Sequence, residues 1–182
     1  MTQLLSPNAK AAPILLALGA NLISERYGTP IETLEAALGA LAARDIGTLQ
    51  RSRWFESAPV PISDQPWYVN GVISVQSPLS PEATLSVLHD IEAEFGRVRQ
   101  VRNEARVLDL DLIAYGNQVI EQPGGIIVPH PRLADRAFVL LPLRDVAPDW
   151  HHPVTGLSLD QMIAGLPKDQ MIRPVSASGS TL

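Results

Sequence analysis

Residues 107–115 read VLDLDLIAY, and apolar and polar side chains alternate from Leu108 to Leu112. Strict alternation is typical of a β-strand with one buried face. On such a strand the leucines share one face, while Asp109 and Asp111 share the other, about 6.5 Å apart. The stretch therefore predicts a half-buried strand that carries two neighbouring carboxylates.

The element predicted before this strand is a helix, which ends ten residues ahead of it. Ser80 opens it with the pair Pro81-Glu82, apolar residues recur every three to four positions from Leu85 to Phe95, and Gly96 ends it. Another strand is predicted ahead of the helix, at about residues 67–75. The second half of the chain thus has the order β-α-β.

The first half repeats that order. Residues 13–18 predict a strand, a helix with the capping pattern Thr29-Pro30-Ile31-Glu32 runs to Ala43, and residues 48–58 predict the next strand. The proline-bearing segment 59–66 separates the halves. Together they predict an α+β fold of the ferredoxin-like type, a βαββαβ sandwich with an antiparallel sheet and helices on one face, plus a C-terminal extension.

The chain length fits one domain. It has 182 residues, of which 46% are hydrophobic and 18% charged, so it can bury an ordinary core. We expect the domain to span residues 12–165, with a short helix near residues 132–139 and flexible tails at residues 1–11 and 174–182.

The composition excludes several classes of protein. The net charge of -5 argues against binding nucleic acid or anionic membranes through bulk charge. The absence of cysteine excludes disulfides, thiolate nucleophiles and cysteine-based zinc sites. The longest apolar stretch, residues 11–22, is too short to span a bilayer. We expect a cytoplasmic protein and, with no long helix pattern, a monomer.

Asp109 and Asp111 allow two interpretations. Taken alone, they fit a strand whose polar face lies in water. Aspartate is a poor strand former, however, and Mg²⁺ binds carboxylates together with phosphate oxygens. The chain has 12 Arg and only 2 Lys, and the planar guanidinium suits phosphate. Four arginines stand just before the pair: Arg97, Arg99, Arg102 and Arg106. Their presence there favours a metal–nucleotide site over a solvated basic loop.

Two more groups are candidates. His130 lies between Pro129 and Pro131, which restrict its backbone. Tyr68 and Asn70 share one face of a predicted strand, where a ring and an amide suit a flat heterocycle. The sequence lacks the P-loop, the G-x-G-x-x-G motif, the G-x-S-x-G elbow and H-E-x-x-H.

Six short motifs occur in a fixed order between about Ile14 and Pro153. They are LGANL at 18–22, QPWYVN at 65–70, GRVR at 96–99, RVLDLDL at 106–112, VPHPR at 128–132 and RAFVL at 136–140. With these motifs in this order, the chain resembles the 6-hydroxymethyl-7,8-dihydropterin pyrophosphokinase family.

The resemblance implies transfer of diphosphate from ATP to the pterin alcohol in folate biosynthesis, with AMP leaving. It implies two Mg²⁺ ions on Asp109 and Asp111. It places phosphate and nucleotide contacts at Arg97, Arg99, Arg102, Arg106, Arg136, His130 and Glu92. It places the pterin between Tyr68 and Phe138, with its edge against Asn70 and the segment that includes Ser57, Ala58 and Val60.

The chain departs from the usual family pattern in places. Ala105 and Val107 replace a proline and a threonine, and Asn103 stands where some relatives carry an aromatic residue. The carboxylate pair is intact. Two alternatives stay open: another Mg²⁺-dependent nucleotide transferase on the same fold, and a ferredoxin-like RNA-binding module. The acidic net charge and the lack of an aromatic stacking pair on the central strands disfavour the second.

Overall fold

The computed structural model describes residues 12–96 and 105–176. The elements, in chain order, are β1 (Ile14–Ala20), α1 (Pro30–Ala42), β2 (Gly47–Arg51), β3 (Phe55–Ser57), β4 (Tyr68–Gln76), α2 (Pro81–Glu94), β5 (Asp109–Tyr115), β6 (Ile120–Glu121), β7 (Ile127–Val128), a 3₁₀ helix (Leu133–Asp135), α3 (Ala137–Val146), α4 (Leu159–Ala164) and β8 (Ile172–Pro174). Within these ranges, no helix combines the length and apolar character needed to cross a membrane.

Six strands form one sheet. Five of them have the order β5-β1-β4-β3-β8. The sixth, β2, also pairs with β4, beside β3. Each of these pairings is antiparallel. The sheet and its two βαβ halves confirm the predicted ferredoxin-like fold.

Helices cover both faces of the sheet. Leu16 and Leu18 of β1 belong to a core shared with α1 and α2. Leu15 and Ala17 of the same strand belong to a second core, which α3 and α4 complete. The predicted placement of helices on one face is therefore correct for α1 and α2, while the C-terminal extension supplies the helices of the opposite face. Each fully buried leucine contributes about 2 kcal/mol to folding stability, so exposing either face of the sheet to water would cause a large loss of stability.

The predicted start of the first helix is confirmed in detail. The Glu32 backbone N–H donates to Thr29 Oγ1 at 3.3 Å, and the Thr29 backbone N–H donates to Glu32 Oε2 at 2.8 Å. The hydrogen bonds that the Thr29 backbone N–H and the Thr29 hydroxyl donate to the Glu32 carboxylate lower its pKa. The reciprocal pair is a capping box, which satisfies two amides that the helix itself leaves without partners.

The single strand predicted over residues 48–58 is wrong, because the chain breaks there into β2 and β3. At the break, the Arg53 guanidinium turns away to Asp145, with Nε–Oδ2 at 2.9 Å and Nη2–Oδ1 at 3.0 Å. The Trp54 ring packs across Gly71 of β4, where any side chain would overlap it. The two side chains thus interrupt the strand ladder.

The C-terminal extension differs most from the sequence-based expectation. The helix expected near residues 132–139 is divided at Arg136, whose φ of −116° and ψ of 105° are extended, and α3 then continues to Val146. The elements β6, β7, α4 and β8 were not predicted. Since β8 pairs with β3, the sheet includes residues beyond the expected domain end at residue 165 and reaches position 174.

Candidate active site

A cleft of about 920 Å³ opens at the end of β1, between β5 and the start of α3. Twelve of the predicted site residues line it: Ser57, Ala58, Val60, Tyr68, Asn70, Glu92, Arg106, Asp109, Asp111, His130, Arg136 and Phe138. Arg97, Arg99 and Arg102 lie outside the described residues. The structure therefore brings together all the predicted site residues that it describes.

Asp109 and Asp111 stand on the same face of β5, as the alternation predicts. The register places them opposite Gly19 and Ala17 of β1. These small neighbours leave room above the strand, and the two carboxylate side chains keep 24% and 31% of their surface exposed. Leu110, between them, points into the opposite core.

An arginine accompanies each carboxylate. Arg106 Nη1 donates to Asp109 Oδ1 at 2.7 Å, and Arg136 Nη1 donates to Asp111 Oδ2 at 3.5 Å. Two like charges this close on a strand destabilise each other unless cations offset them. Burial lowers the pKa of Arg136, and the charge of Asp111 opposes that shift. The alternating charges suit a ligand that itself carries both phosphate and metal.

The donor set at this point fits Mg²⁺. Asp109 and Asp111 offer hard carboxylate oxygens, and among residues 12–96 and 105–176 no cluster of three or more His, Cys, Asp or Glu exists that could hold a metal. Mg²⁺ prefers one or two carboxylates with water and phosphate as the remaining ligands, whereas zinc takes three or four protein ligands.

His130 is held by its backbone and by one ring nitrogen. Its backbone N–H donates to the Ile113 carbonyl at 2.9 Å, and Nδ1 accepts the Arg132 backbone N–H at 3.1 Å. Burial, together with the charges of Arg136 and Arg132, lowers the pKa of His130 to about 4. At neutral pH the ring is therefore uncharged, and its proton lies on Nε2 because Nδ1 is an acceptor. It can donate one hydrogen bond without adding charge.

The far end of the cleft combines rings with a fixed amide. Asn70 Nδ2 donates to Ser57 Oγ at 2.7 Å, and both side chains are buried. The Tyr68 hydroxyl donates to Gln65 Oε1 at 3.3 Å, and burial raises the pKa of Tyr68, so the phenol stays protonated. The Arg136 guanidinium lies 5.4 Å from the centre of the Phe138 ring. Flat apolar faces and one oriented amide can receive a planar, hydrogen-bonding molecule.

Glu92 has a structural role as well as a place in the cleft wall. Its carboxylate is 1% exposed, and Oε1 accepts the Leu110 backbone N–H at 2.7 Å. A buried carboxylate on α2 therefore anchors β5 between the two aspartates. Its contact with a nucleotide, which the resemblance implies, stays a prediction.

Asn21 does not line the cleft but holds segments that do, and the sequence reasoning missed this role. Its Oδ1 accepts the Arg106 backbone N–H at 2.8 Å, and its Nδ2 donates to the Pro66 carbonyl at 3.0 Å. One amide thus joins the end of β1 to the segments that carry Arg106 and Tyr68. The only signal in the sequence was its place in the LGANL motif. The stretch from Pro167 to Met171, which does line the cleft, carried no signal.

Comparisons with known proteins agree with this geometry. Residues 15–148 match the family model described as 7,8-dihydro-6-hydroxymethylpterin-pyrophosphokinase (HPPK). The 2-amino-4-hydroxy-6-hydroxymethyldihydropteridine pyrophosphokinase of Pseudomonas aeruginosa is 39% identical over 155 residues, which are 85% of this chain and 91% of that protein. The protein of the same name from Synechocystis is 37% identical over 150 residues, covering 82% and 73%.

Some relatives are much longer than this chain. The folic acid synthesis protein fol1 of Pneumocystis carinii is 38% identical over 162 residues, which are 89% of this chain but 21% of that protein. The crystal structure of Plasmodium falciparum HPPK-DHPS wild type with SDX-DHP superposes with a TM-score of 0.65 at 14% identity, over 88% of this chain and 45% of that one. The structural likeness establishes a shared fold, and the family match over most of the sequence establishes that the chain belongs to the 7,8-dihydro-6-hydroxymethylpterin-pyrophosphokinase family.

Proposed function

We propose that this chain transfers the diphosphate group of ATP to the hydroxymethyl group of 6-hydroxymethyl-7,8-dihydropterin, and that Asp109 and Asp111 form its reaction centre. The reaction itself, an ATP-dependent pyrophosphoryl transfer in folate biosynthesis, is inferred from the family and from the relatives of similar length. The assignment of residues rests mainly on one observation, the pair of partly exposed carboxylates on β5, each beside an arginine.

The two ends of the cleft receive the two substrates. Tyr68, Phe138 and the fixed amide of Asn70 bind the flat pterin ring, with the backbone of residues 57–60 along its edge. The triphosphate lies towards Arg106 and Arg136, whose guanidinium groups neutralise phosphate oxygens. This arrangement directs the pterin hydroxymethyl oxygen towards the β-phosphorus of ATP.

The residues then act by alignment and charge neutralisation. In the transfer a bond forms between the pterin oxygen and the β-phosphorus, and the bond from the β-phosphorus to the α-phosphate oxygen breaks. AMP leaves with that oxygen, and the proton of the alcohol is released to water. The neutral His130 donates from Nε2 to a phosphate oxygen. Arg136 balances charge that develops during the transfer, and no covalent intermediate with the protein is required.

Asp109 and Asp111 hold magnesium in this proposal. Bound Mg²⁺ supplies positive charge for the phosphate oxygens and lowers the pKa of an alcohol or water that it coordinates. The proposal carries Arg97, Arg99 and Arg102 as further phosphate contacts, and Glu92 as a contact to the base or ribose. It also takes the chain to be cytoplasmic and monomeric. The elution volume in size-exclusion chromatography would check the monomeric state.

Product analysis tests the proposal most directly. The protein is mixed with Mg-ATP and reduced 6-hydroxymethylpterin, and AMP is resolved from ADP. AMP that appears in step with pterin diphosphate is the expected result. ADP would mean attack at the γ-phosphorus and a different kinase. Nucleotide turnover with other alcohols but not with the pterin would instead favour a transferase of changed acceptor specificity.

A further inference from the structure

Helix α3 begins without a cap of its own. Arg136 occupies the N-cap position, yet its side chain makes no capping hydrogen bond. Ser, Thr, Asp or Asn usually fills this position because a short side chain can accept the amides of the first turn. Here the guanidinium is instead directed to Asp111, at 3.5 Å. The side chain at the N-cap position, which would normally stabilise the helix, therefore lies in the candidate active site instead.

Gln170 provides the missing cap from 33 residues away. Its Oε1 accepts the Ala137 backbone N–H at 2.9 Å, and its Nε2 donates to the Asp135 carbonyl at 2.6 Å. Ala137 and Asp135 are the two neighbours of Arg136 in the chain. One side-chain amide therefore holds the backbone on both sides of the arginine.

The next residue reaches the opposite wall of the cleft. The Ala58 backbone N–H donates to the Met171 carbonyl at 3.0 Å, within the segment to which we assign the pterin edge. Gln170 and Met171 themselves line the cleft, immediately before β8 pairs with β3. The segment thus connects the Arg136 side of the site to the Ser57 side. It also lies outside residues 15–148, which match the family model.

We propose that Gln170 is a positioning residue for the transfer reaction: it fixes the backbone at Arg136 so that the guanidinium meets Asp111 and the triphosphate. This inference rests on the proposed function. It gives the C-terminal extension a part in the reaction in addition to covering the second face of the sheet. A small displacement of Arg136 is enough to matter, because a shift of about 1 Å can lower a rate about 10²-fold.

Gln170→Leu tests the inference, with Gln161→Leu as a matched control. Gln161 lies in the same extension and also accepts a capping hydrogen bond, from the Ser158 backbone N–H at 2.9 Å, but it does not line the cleft. We expect both variants to lose similar stability in denaturant unfolding. Only Gln170→Leu should lose kcat/KM for the pterin, by about tenfold or more. Gln170→Glu keeps the acceptor for Ala137 and loses the donor to Asp135, so its loss should be intermediate.

A double-mutant cycle separates positioning from a merely structural role. If Gln170 acts through Arg136, adding Gln170→Leu to Arg136→Ala should change kcat/KM by less than twofold, whereas the same substitution in the parent chain has its full effect. Equal kinetics of Gln170→Leu and Gln161→Leu, in a parent chain that forms AMP, would overturn the positioning role alone. Additive losses in the cycle would also overturn it. Failure of the parent chain to form AMP would overturn the proposed function, and this inference with it.

Discussion

Asn70 Nδ2 donates to Ser57 Oγ at 2.7 Å, and the two side chains are only 5% and 4% exposed. The bond joins β4 to the end of β3 at the floor of the cleft. Because it commits the amide nitrogen, it fixes which way the Asn70 amide is turned. The carbonyl oxygen lies next to Gly19, where a Cβ would come within 3.2 Å of it. The orientation of this amide is therefore set before any ligand binds.

Ser57→Ala should weaken pterin binding more than it slows the transfer. With its partner removed the amide can turn, and losing one hydrogen bond worth about 1 kcal/mol raises KM for the pterin about fivefold. Steady-state kinetics measures this. Ser52→Ala is the control, since Ser52 is also buried and accepts the Val72 backbone N–H at 3.0 Å outside the cleft. An equal rise of KM in the control would contradict a specific role of Ser57.

Asp109→Asn and Asp111→Asn should each lower kcat by about 10³-fold, because the amide keeps the shape but loses the negative charge with which, in the proposal, each carboxylate holds Mg²⁺. Circular dichroism and thermal unfolding should show the fold retained. Asp145→Asn is a matched control: that carboxylate is also bound by an arginine, Arg53, but away from the cleft. Near-normal turnover of both variants would remove the metal assignment.

The His130 ring should titrate near pH 4 in NMR spectra, well below the ordinary value of 6.5. As the pH falls from 6.5 towards 4, the unfolded chain takes up a proton at this position and the folded chain does not. Folding stability is therefore lost over that window and is complete above it. His130→Gln should reduce this pH dependence, measured by denaturant unfolding at several pH values. His151→Gln, on an exposed residue outside the cleft, is the control for the substitution itself; a midpoint near 6.5 for His130 would refute the assignment.

Gly71→Ala should destabilise the fold by about 1–3 kcal/mol, because the new Cβ overlaps the ring of Trp54 and forces it out of place. The displaced ring would lose the hydrogen bond from Nε1 to Glu35 Oε1 at 3.1 Å. Gly39→Ala has the opposite expectation, a gain of about 0.5–1 kcal/mol, since Gly39 is within α1 and nothing lies within 4 Å of its Cβ position. Urea unfolding of both variants measures the contrast, and a neutral Gly71→Ala would contradict it.

The parts of the fold that follow local rules were predictable. The capping box at Thr29, the alternation of β5 and the βαβ order each depend on residues close together in the chain. The break at Arg53 was not predictable, because the partner of Arg53 there is Asp145, 92 residues later. The start of α3 escaped prediction for the same reason, since its cap comes from Gln170.

The residues of the candidate site likewise fall into two groups, those predictable from nearby sequence and those that depend on distant contacts. Asp109, Asp111 and Arg106 lie within six residues, so their joint role could be inferred from spacing. The role of Asn21 depends on contacts with residues 44 to 85 positions away, which leave no trace in spacing. The motif order indicated that these segments belong together, but it did not show which atom joins them.

The irregular pairing of β1 with β5 affects how the fraction of active molecules in a preparation should be measured. The register shifts between Leu15 and Leu16, so that Ile113 has no direct partner and its carbonyl receives His130. A slip of one residue would turn Leu110 into the cleft and bury both aspartates against α2. Such a molecule could be compact and helical by circular dichroism and yet be inert. Titration of active sites, rather than a folding signal, is therefore the proper measure of correctly assembled protein in a preparation.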